Sequence, residues 1–236
     1  MPVGVLICSG TEWRAAKQLL GLPEAAIGRF PYGEHARLRV ANRASVLFHC
    51  RRTRVRAAGA CQYAIDRWRV DPVIVLGTAG GVAEHLGVGD VVLATSTVQR
   101  DCADQRPGMG ARSEADLAWL DLPPSAEPLH RGSISSADQD LAFAHAAPLR
   151  AAGILCADWE SAAVAAVCTF NGVRWAIFRG ISDVPRAAGD ADYQRQLADY
   201  THNTPAIMAK LLNLLPAIVA ATARRRAAAG AMMVTR

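Results

Sequence analysis

The 236-residue sequence lacks several signatures, and each absence closes off a class of function. Its six cysteines (Cys8, Cys50, Cys61, Cys102, Cys156 and Cys168) form no C-x-x-C pair, and no histidines join them at metal-ligand spacing. That excludes the common structural zinc frameworks, so neither metal nor organic cofactor is expected. Cysteines inside apolar runs, such as Cys8 after Val5-Leu6-Ile7, act as small hydrophobes, and the expectation is a reduced, cytoplasmic protein. There is no G-x-G-x-x-G with a ribose-binding acid at the usual distance, which disfavours a dinucleotide fold. The start of the chain has no basic n-region and no cleavage site of a secretory signal. No linker-like or low-complexity stretch divides the sequence, so residues 1–236 read as a single domain.

What is present is a globular composition, 51% apolar and 20% charged. The net charge of +5 invites a nucleic-acid reading, but much of the excess is local. It sits in Arg51, Arg52, Arg54 and Arg56, and in the tail Arg224, Arg225 and Arg226. Such clusters usually mark a solvated face, and no nucleic-acid module accompanies them, so no nucleic-acid partner is expected. The apolar stretch Ala206–Ala223 is interrupted by Lys210, Asn213 and Pro216 and barely reaches bilayer length. It reads as a buried closing helix, with no membrane partner.

Along the chain, apolar runs alternate with helical periodicity. Val3–Cys8 predicts a strand, and Glu12 to Leu20 a helix whose opening carboxylate suits the dipole. Arg37–Val40 and Ser45–His49 predict a hairpin, and Arg54 to Trp68 a helix stopped by Asp71-Pro72. Val73–Leu76 is continuously apolar, as a strand covered on both faces should be, and Val91–Thr95 follows as another. Asp101 to Pro128 reads as an excursion with a short helix near Glu114–Leu120. The last third predicts a strand at Ile154–Asp158, a helix at Ser161–Asn171, a strand at Trp175–Ile181 and a long helix at Asp192–Ala223, bent at Pro216. The pattern implies an α/β fold, a three-layer α/β/α sandwich around a central mixed sheet. Ligands in such folds gather at the carboxyl ends of strands, where Glu12, Thr78, Glu160 and Asp183 fall.

Three segments carry the chemistry: Gly77-Thr78-Ala79-Gly80-Gly81-Val82, Ala157-Asp158-Trp159-Glu160-Ser161-Ala162-Ala163, and Arg179-Gly180-Ile181-Ser182-Asp183. Small residues after a buried strand allow a ligand close to the backbone. In this order and spacing the segments resemble the nucleoside phosphorylase superfamily, and most of all its 5′-methylthioadenosine/S-adenosylhomocysteine nucleosidase branch. The resemblance spans nearly the whole chain. It implies that Asp183 protonates purine N7, that Ser182 orients it, and that Glu12 activates the attacking water. It further implies that Glu160 accepts hydrogen bonds from ribose hydroxyls and that Trp159 lies beneath the sugar. Thr78, Ala79 and Gly80 would line the ribose and water site, Arg179 would hold the water, Leu141 would meet the base, and Tyr193 would help to close the pocket. A homodimer is also implied.

The chemistry is coherent on its own terms. Cleavage of a purine N-glycosidic bond passes through an oxocarbenium-like sugar, which a nearby anion stabilises. The base leaves readily only when protonated, so one carboxyl must keep its proton near neutrality. A second carboxylate must take a proton from water, as in inverting glycoside hydrolysis. Taken singly, a Glu opening a helix is usually a cap and an Asp in a loop usually makes a turn.

Two same-fold outcomes and one of another class follow. Phosphorylases of this superfamily carry an arginine on the strand before the Gly-rich turn, where this chain has Val73-Ile74-Val75-Leu76; that favours water as nucleophile. Arg14, close to Glu12, keeps a phosphate-dependent phosphorylase open, and a nucleoside-binding protein without turnover is the third reading. Two segments depart from the nucleosidase branch. Cys50-Arg51-Arg52-Thr53-Arg54 replaces a Ser-Gly-Ile-Gly-Lys turn, with arginines that either meet an acidic substrate tail or face solvent. Ser136-Ala137-Asp138-Gln139-Asp140 replaces Ser-Gly-Asp-x-Phe and removes the aromatic that stacks on the purine, with Phe143 three residues further on. These departures leave the base and the 5′ substituent open, with adenosylhopane-type and futalosine-type nucleosides among the alternatives.

Overall fold

The computed structural model describes residues 1–102, 104, 106, 110–122 and 128–222. The Arg224–Arg226 tail lies outside them. The first strand, β1 (Val3–Ile7), is fully buried and runs parallel between two others, β4 (Arg43–His49) and β5 (Val73–Gly81). Helix α1 (Gly10–Leu19) follows β1 directly. Strands β2 (Ile27–Phe30) and β3 (Gly33–Val40) join β4 in an antiparallel meander at the sheet edge. The β3–β4 turn is tighter than the sequence pattern predicts. Ala41 and Asn42 both take positive φ (46° and 60°), the conformation of a two-residue hairpin turn.

Helix α2 (Arg54–Trp68) has the predicted bounds, with the Thr53 side chain accepting from Arg56 N at its start. Strand β6 (Val91–Gln99) pairs with the short β7 (Arg112–Glu114) and with β8 (Leu129–Ser136). Next come α3 (Phe143–Ala151), β9 (Ile154–Asp158), α4 (Ser161–Phe170), β10 (Trp175–Asp183) and α5 (Asp190–Ala221). α5 continues through Pro205 and Pro216. By length and composition α5 could cross a membrane, but half of its most apolar window is buried within the protein.

Two expectations are corrected. No helix forms near Glu114–Leu120, where β7 ends and Leu120 N closes a turn onto Leu117 O; the apolar residues there, Trp119 and Leu120, are buried as part of the core. The Gly-rich segment after Leu76 is no turn either, because β5 runs on to Gly81. Gly77 pairs with Arg179, Gly80 with Asp183 and Ala157, and Gly81 with Cys156, long-range ladder partners that a local reading of glycine as a turn signal misses.

The sheet is mixed and ten-stranded among the described residues. Side chains alternate along its central strands. Val5, Ile7, Ile74, Leu76 and Phe178 pack under α1 and α5 with Trp13, Ile207 and Leu211. Leu6, Val75 and Ile177 pack on the opposite face with Cys61, Ala64, Val164 and Cys168 of α2 and α4. A period of two with both faces apolar is what two covering helical layers demand.

The site is positioned by β5, which changes partner along one edge. Val73–Leu76 pairs with β1, whereas Gly80 and Gly81 pair antiparallel with Ala157 and Cys156 of β9. Its other edge pairs with β10 from Val73 to Gly80. Together with the β10–β6, β6–β8 and β8–β9 pairings this closes part of the sheet into a ring of strands. The carboxyl ends of β1, β5, β9 and β10 converge where β5 switches partner, the place where open α/β sheets bind ligands.

The α5–β10 packing is tight: a Cβ on Gly180 would lie 2.2 Å from Ile207 Cγ2. Gly180→Ala alone is expected to cost about 1–3 kcal/mol by overpacking, and Ile207→Ala about 2–5 kcal/mol by cavity formation. The double variant should lose less than the sum in urea unfolding; additive losses would show that the contact does not set the packing.

Candidate active site

Glu12 enters the site through helix capping. Ser9 caps α1 by accepting from Glu12 N at 3.1 Å, and Glu12 Oε2 accepts from Ser9 N at 3.0 Å, a complete capping box. The same carboxylate reaches β5: its Oε1 accepts from Thr78 N at 2.6 Å and from Thr78 Oγ1 at 2.7 Å. It is 2% exposed. Cap and site residue are one and the same here, so the structural and chemical readings of Glu12 do not compete.

Arg179, on β10, lies beneath this carboxylate and is fully buried. Its Nε is 2.7 Å from Asp158 Oδ2 and donates to Ser161 Oγ at 3.0 Å. Its Nη2 lies 3.8 Å from Glu160 Oε2 and has no hydrogen-bond partner. Arg179 does not line the cavity itself. It fits against β5 because position 77 is glycine: a Cβ there would meet Arg179 Nη1 at 2.3 Å and Glu12 Oε1 at 2.9 Å.

Asp158 is a site residue that the sequence reading quoted without a role. Its Oδ1 accepts from Ser136 Oγ at 2.5 Å and from the N–H groups of Glu160 and Ser161 at 3.2 and 3.1 Å. It therefore caps the start of α4 while pairing with Arg179, and an Asp three residues before a helical Ser was the available signal. Glu160 lies just beyond, with Thr53 N donating to its Oε1 at 3.3 Å. Burial holds the Glu160 carboxyl well above its usual range; Arg179 opposes this, while Asp158 and Glu12 reinforce it. Buried acids sharing one arginine favour keeping a proton among them.

Asp183 ends β10 on the far side of β5, paired with Gly80. Burial pushes its carboxyl up to about 6, against a hydrogen bond from Ser182 Oγ to Oδ1 at 2.6 Å that pulls it down; Asp199 adds to the rise. Ser182 is fixed in turn by its hydroxyl, 3.4 Å from Ala79 O.

One cavity collects Glu12, Thr78, Ala79, Gly80, Leu141, Trp159, Glu160, Ser182, Asp183 and Tyr193, every expected site residue except Arg179. Also lining it are Arg52, from the cluster read as meeting an acidic tail or facing solvent, and Ser9, Arg100 and Tyr200, which were not foreseen. Ser9 Oγ and Tyr200 OH share a 2.7 Å hydrogen bond that ties α1 to α5. Tyr193, Gln196, Leu197 and Tyr200 recur at the spacing of one helical face, a signal that was readable. Phe143 is 44% exposed and outside the lining, so it does not replace the missing aromatic; the rings at the cavity are Trp159, Tyr193 and Tyr200. The arginine cluster divides. Arg54 pairs with Asp101 and Asp138, Arg56 donates to Cys50 O at 2.7 Å and Tyr32 O at 2.5 Å, Arg51 is exposed, and Arg52 faces the cavity.

The fold is a mixed α/β sheet partly closed into a ring of strands, with Glu12, Glu160 and Asp183 around one cavity at strand ends, and the sequence model of the Phosphorylase superfamily matches residues 3–220. The chain belongs to that superfamily. Among named relatives, the 5′-methylthioadenosine/S-adenosylhomocysteine nucleosidase of Thermotoga maritima is 31% identical over 151 residues, 62% of this chain and 69% of the relative. That of Geobacillus sp. (strain WCH70) is 30% identical, over 61% of this chain and 69% of its own length. The Streptococcus pneumoniae nucleosidase of that name, solved with the transition-state inhibitor MT-ImmA, superposes with a TM-score of 0.77 at 20% identity, covering 93% of this chain and 100% of that one. A futalosine hydrolase mutant of Helicobacter pylori gives 0.74 at 19% identity, over 90% and 97%.

Because Ser182 donates to the ionised form of Asp183, Ser182→Ala should move the Asp183 titration upward from about 6. Carbon NMR of labelled carboxyls reads this directly; an unmoved or lowered midpoint would place the hydroxyl elsewhere.

Proposed function

We propose that this chain is a hydrolytic N-glycosidase that releases the base from a 5′-modified purine nucleoside, 5′-methylthioadenosine or S-adenosylhomocysteine among them. The observation that carries the reading is the convergence of Glu12, Glu160 and Asp183, from three strand ends, on one cavity. In the mechanism, Asp183 gives its proton to purine N7 as the C1′–N9 bond breaks and its electron pair passes to the base. A carboxyl raised to about 6 by burial keeps that proton closer to neutrality than an ordinary aspartate does. Glu160 receives the ribose hydroxyls. Water attacks C1′ and passes its proton to Glu12, whose position is held by Thr78 and Ser9. Arg179, buried beneath the cavity, holds the acids in place and not the water itself. The products are free base and the ribose derivative.

Water rather than phosphate is supported at the two positions weighed for a phosphate-binding arginine. Arg14 is exposed and lines none of the cavity, and Val73–Leu76 bring no charge to it. A homodimer belongs to the same reading: Val55 on α2 and Phe170 at the end of α4 are 77% and 65% exposed, leaving apolar side chains outward on that helical layer.

A chromatographic screen of purine nucleosides, with and without phosphate, should show base release independent of phosphate. Strict dependence, with ribose 1-phosphate as product, would make the protein a phosphorylase; binding without release would leave a binding protein. Asp183→Asn should lower kcat by about 100-fold or more with substrate binding retained, and wild-type kcat/KM should fall as pH rises through about 6, because the protonated acid is the active form. Undiminished turnover in the variant would remove Asp183 from the role of acid. In solution, sedimentation should give twice the 25.1 kDa chain mass; a species at the chain mass would overturn the dimer.

A further inference from the structure

Arg52 lines the cavity yet takes no part in the chemistry above. Its guanidinium carbon lies 5.8 Å from the centre of the Trp159 ring and 5.4 Å from that of Tyr200. Contacts of this kind engage the faces of the group and hold it in place, whereas its N–H donors lie in its plane. Other arginines have found acids: Arg54 pairs with Asp101, Arg174 with Asp71, and Arg195 with Asp192 and Asp199, while Arg100, on the same cavity, bonds backbone carbonyls. Among the described residues, Arg52 forms no ion pair with a carboxylate. Arg52 is exposed at the mouth of the cavity, set over two rings and hydrogen-bonded to Tyr200, so its remaining N–H donors are open to an anion that enters there. The start of α2, two residues on, adds the positive end of a helix dipole to the same spot.

The side of the cavity is also defined. Thr53, the next residue, donates its N–H to Glu160, the carboxyl that meets the ribose in the proposed function. The base end is elsewhere, at Asp183 and Leu141. There Arg100 donates from Nη2 to the carbonyls of Gln139 and Asp140 at 3.2 and 3.4 Å. Arg52 therefore stands by the sugar, where the exocyclic 5′ branch leaves the ring. We propose that Arg52 determines specificity by pairing with a carboxylate carried on the 5′ substituent of the nucleoside. The inference rests on the nucleosidase reading for the placement of the sugar. An acid-bearing substituent gains charge-assisted, bidentate hydrogen bonds there, while a neutral one leaves the guanidinium with its Tyr200 hydrogen bond and no ion pair.

The test uses two nucleosides of matched shape, 5′-carboxymethylthio-5′-deoxyadenosine and its carboxamide, with Kd from rapid-mixing tryptophan fluorescence and adenine release by chromatography measured in parallel. The acid should bind wild-type protein about tenfold or more tightly than the amide, and the preference should shrink as salt is added. Arg52→Gln should bring the two Kd values within about twofold of each other, and Arg52→Lys should keep part of the preference, since it retains the charge but not the planar fork. Equal Kd values in the wild type, failure of both to bind, or a preference undiminished in Arg52→Gln would overturn the assignment. Adenine release is read separately. Charge-selective binding without release from either compound would remove the nucleosidase reading and leave Arg52 as an anion site, whereas release from both at equal Kd would do the reverse.

Discussion

The buried ion pair between Arg179 and Asp158 is the interaction on which the site depends. Both side chains are almost wholly withdrawn from water. A lone buried charge costs several kcal/mol, and removing one partner of such a pair typically costs about 3–5 kcal/mol, because the other is left uncompensated. The pair therefore fixes β10 against the β9–α4 junction. Around it the remaining acids must settle: Glu12 above Thr78, Glu160 just beyond Asp158, and Asp183 across β5. A shared arginine lets acids approach one another, and burial holds some of them protonated. The chemistry proposed for the site and the burial of its charges have the same cause.

Backbone features make that cluster possible. Strand β5 exchanges β1 for β9 along one edge, which leaves room for α1 to begin and for β9 to end beside it. Gly77 removes the one side chain that would separate Glu12 from Arg179. The acids are then held by helix starts, Glu12 in the capping box of α1 and Asp158 at the N-terminus of α4, so their positions follow from the same hydrogen bonds that begin the helices. Sites anchored in this way on strands and helix starts are held more rigidly than sites on loops.

The rim of the cavity follows different rules. It is formed by one face of α5, by the segment between β4 and α2, by Arg100 just after β6, and by the residues after β8. Few of its contacts belong to the sheet ladder, so its side chains can vary without disturbing the floor. Arg52, Arg100, Tyr193 and Tyr200 are of this kind. In the proposed reading the floor carries the bond-breaking chemistry and the rim the choice of substrate.

How much of this was legible in the chain depends on the range of the interaction involved. Periodicity gave α2 its bounds and β9 its span, because helix and strand patterns are local; short, half-buried or polar elements such as β2, β7, β8 and α3 left no such pattern. Glu12, Glu160 and Asp183 stood out because a motif keeps neighbours together, whereas Asp158 was passed over, since its worth lies in an arginine 21 residues away. The sequence alone determined that strands alternate with helices, that apolar residues cover both sheet faces, and that acids fall at strand ends. Only the tertiary structure decided that the glycine-rich segment is strand rather than turn, that Arg179 lies beneath the cavity instead of lining it, and that Arg52, though exposed, lies over Trp159 and Tyr200 at the cavity. Those outcomes are set by long-range pairing and by the cost of burying charge, which depend on what the fold brings within a few ångströms and not on spacing along the chain.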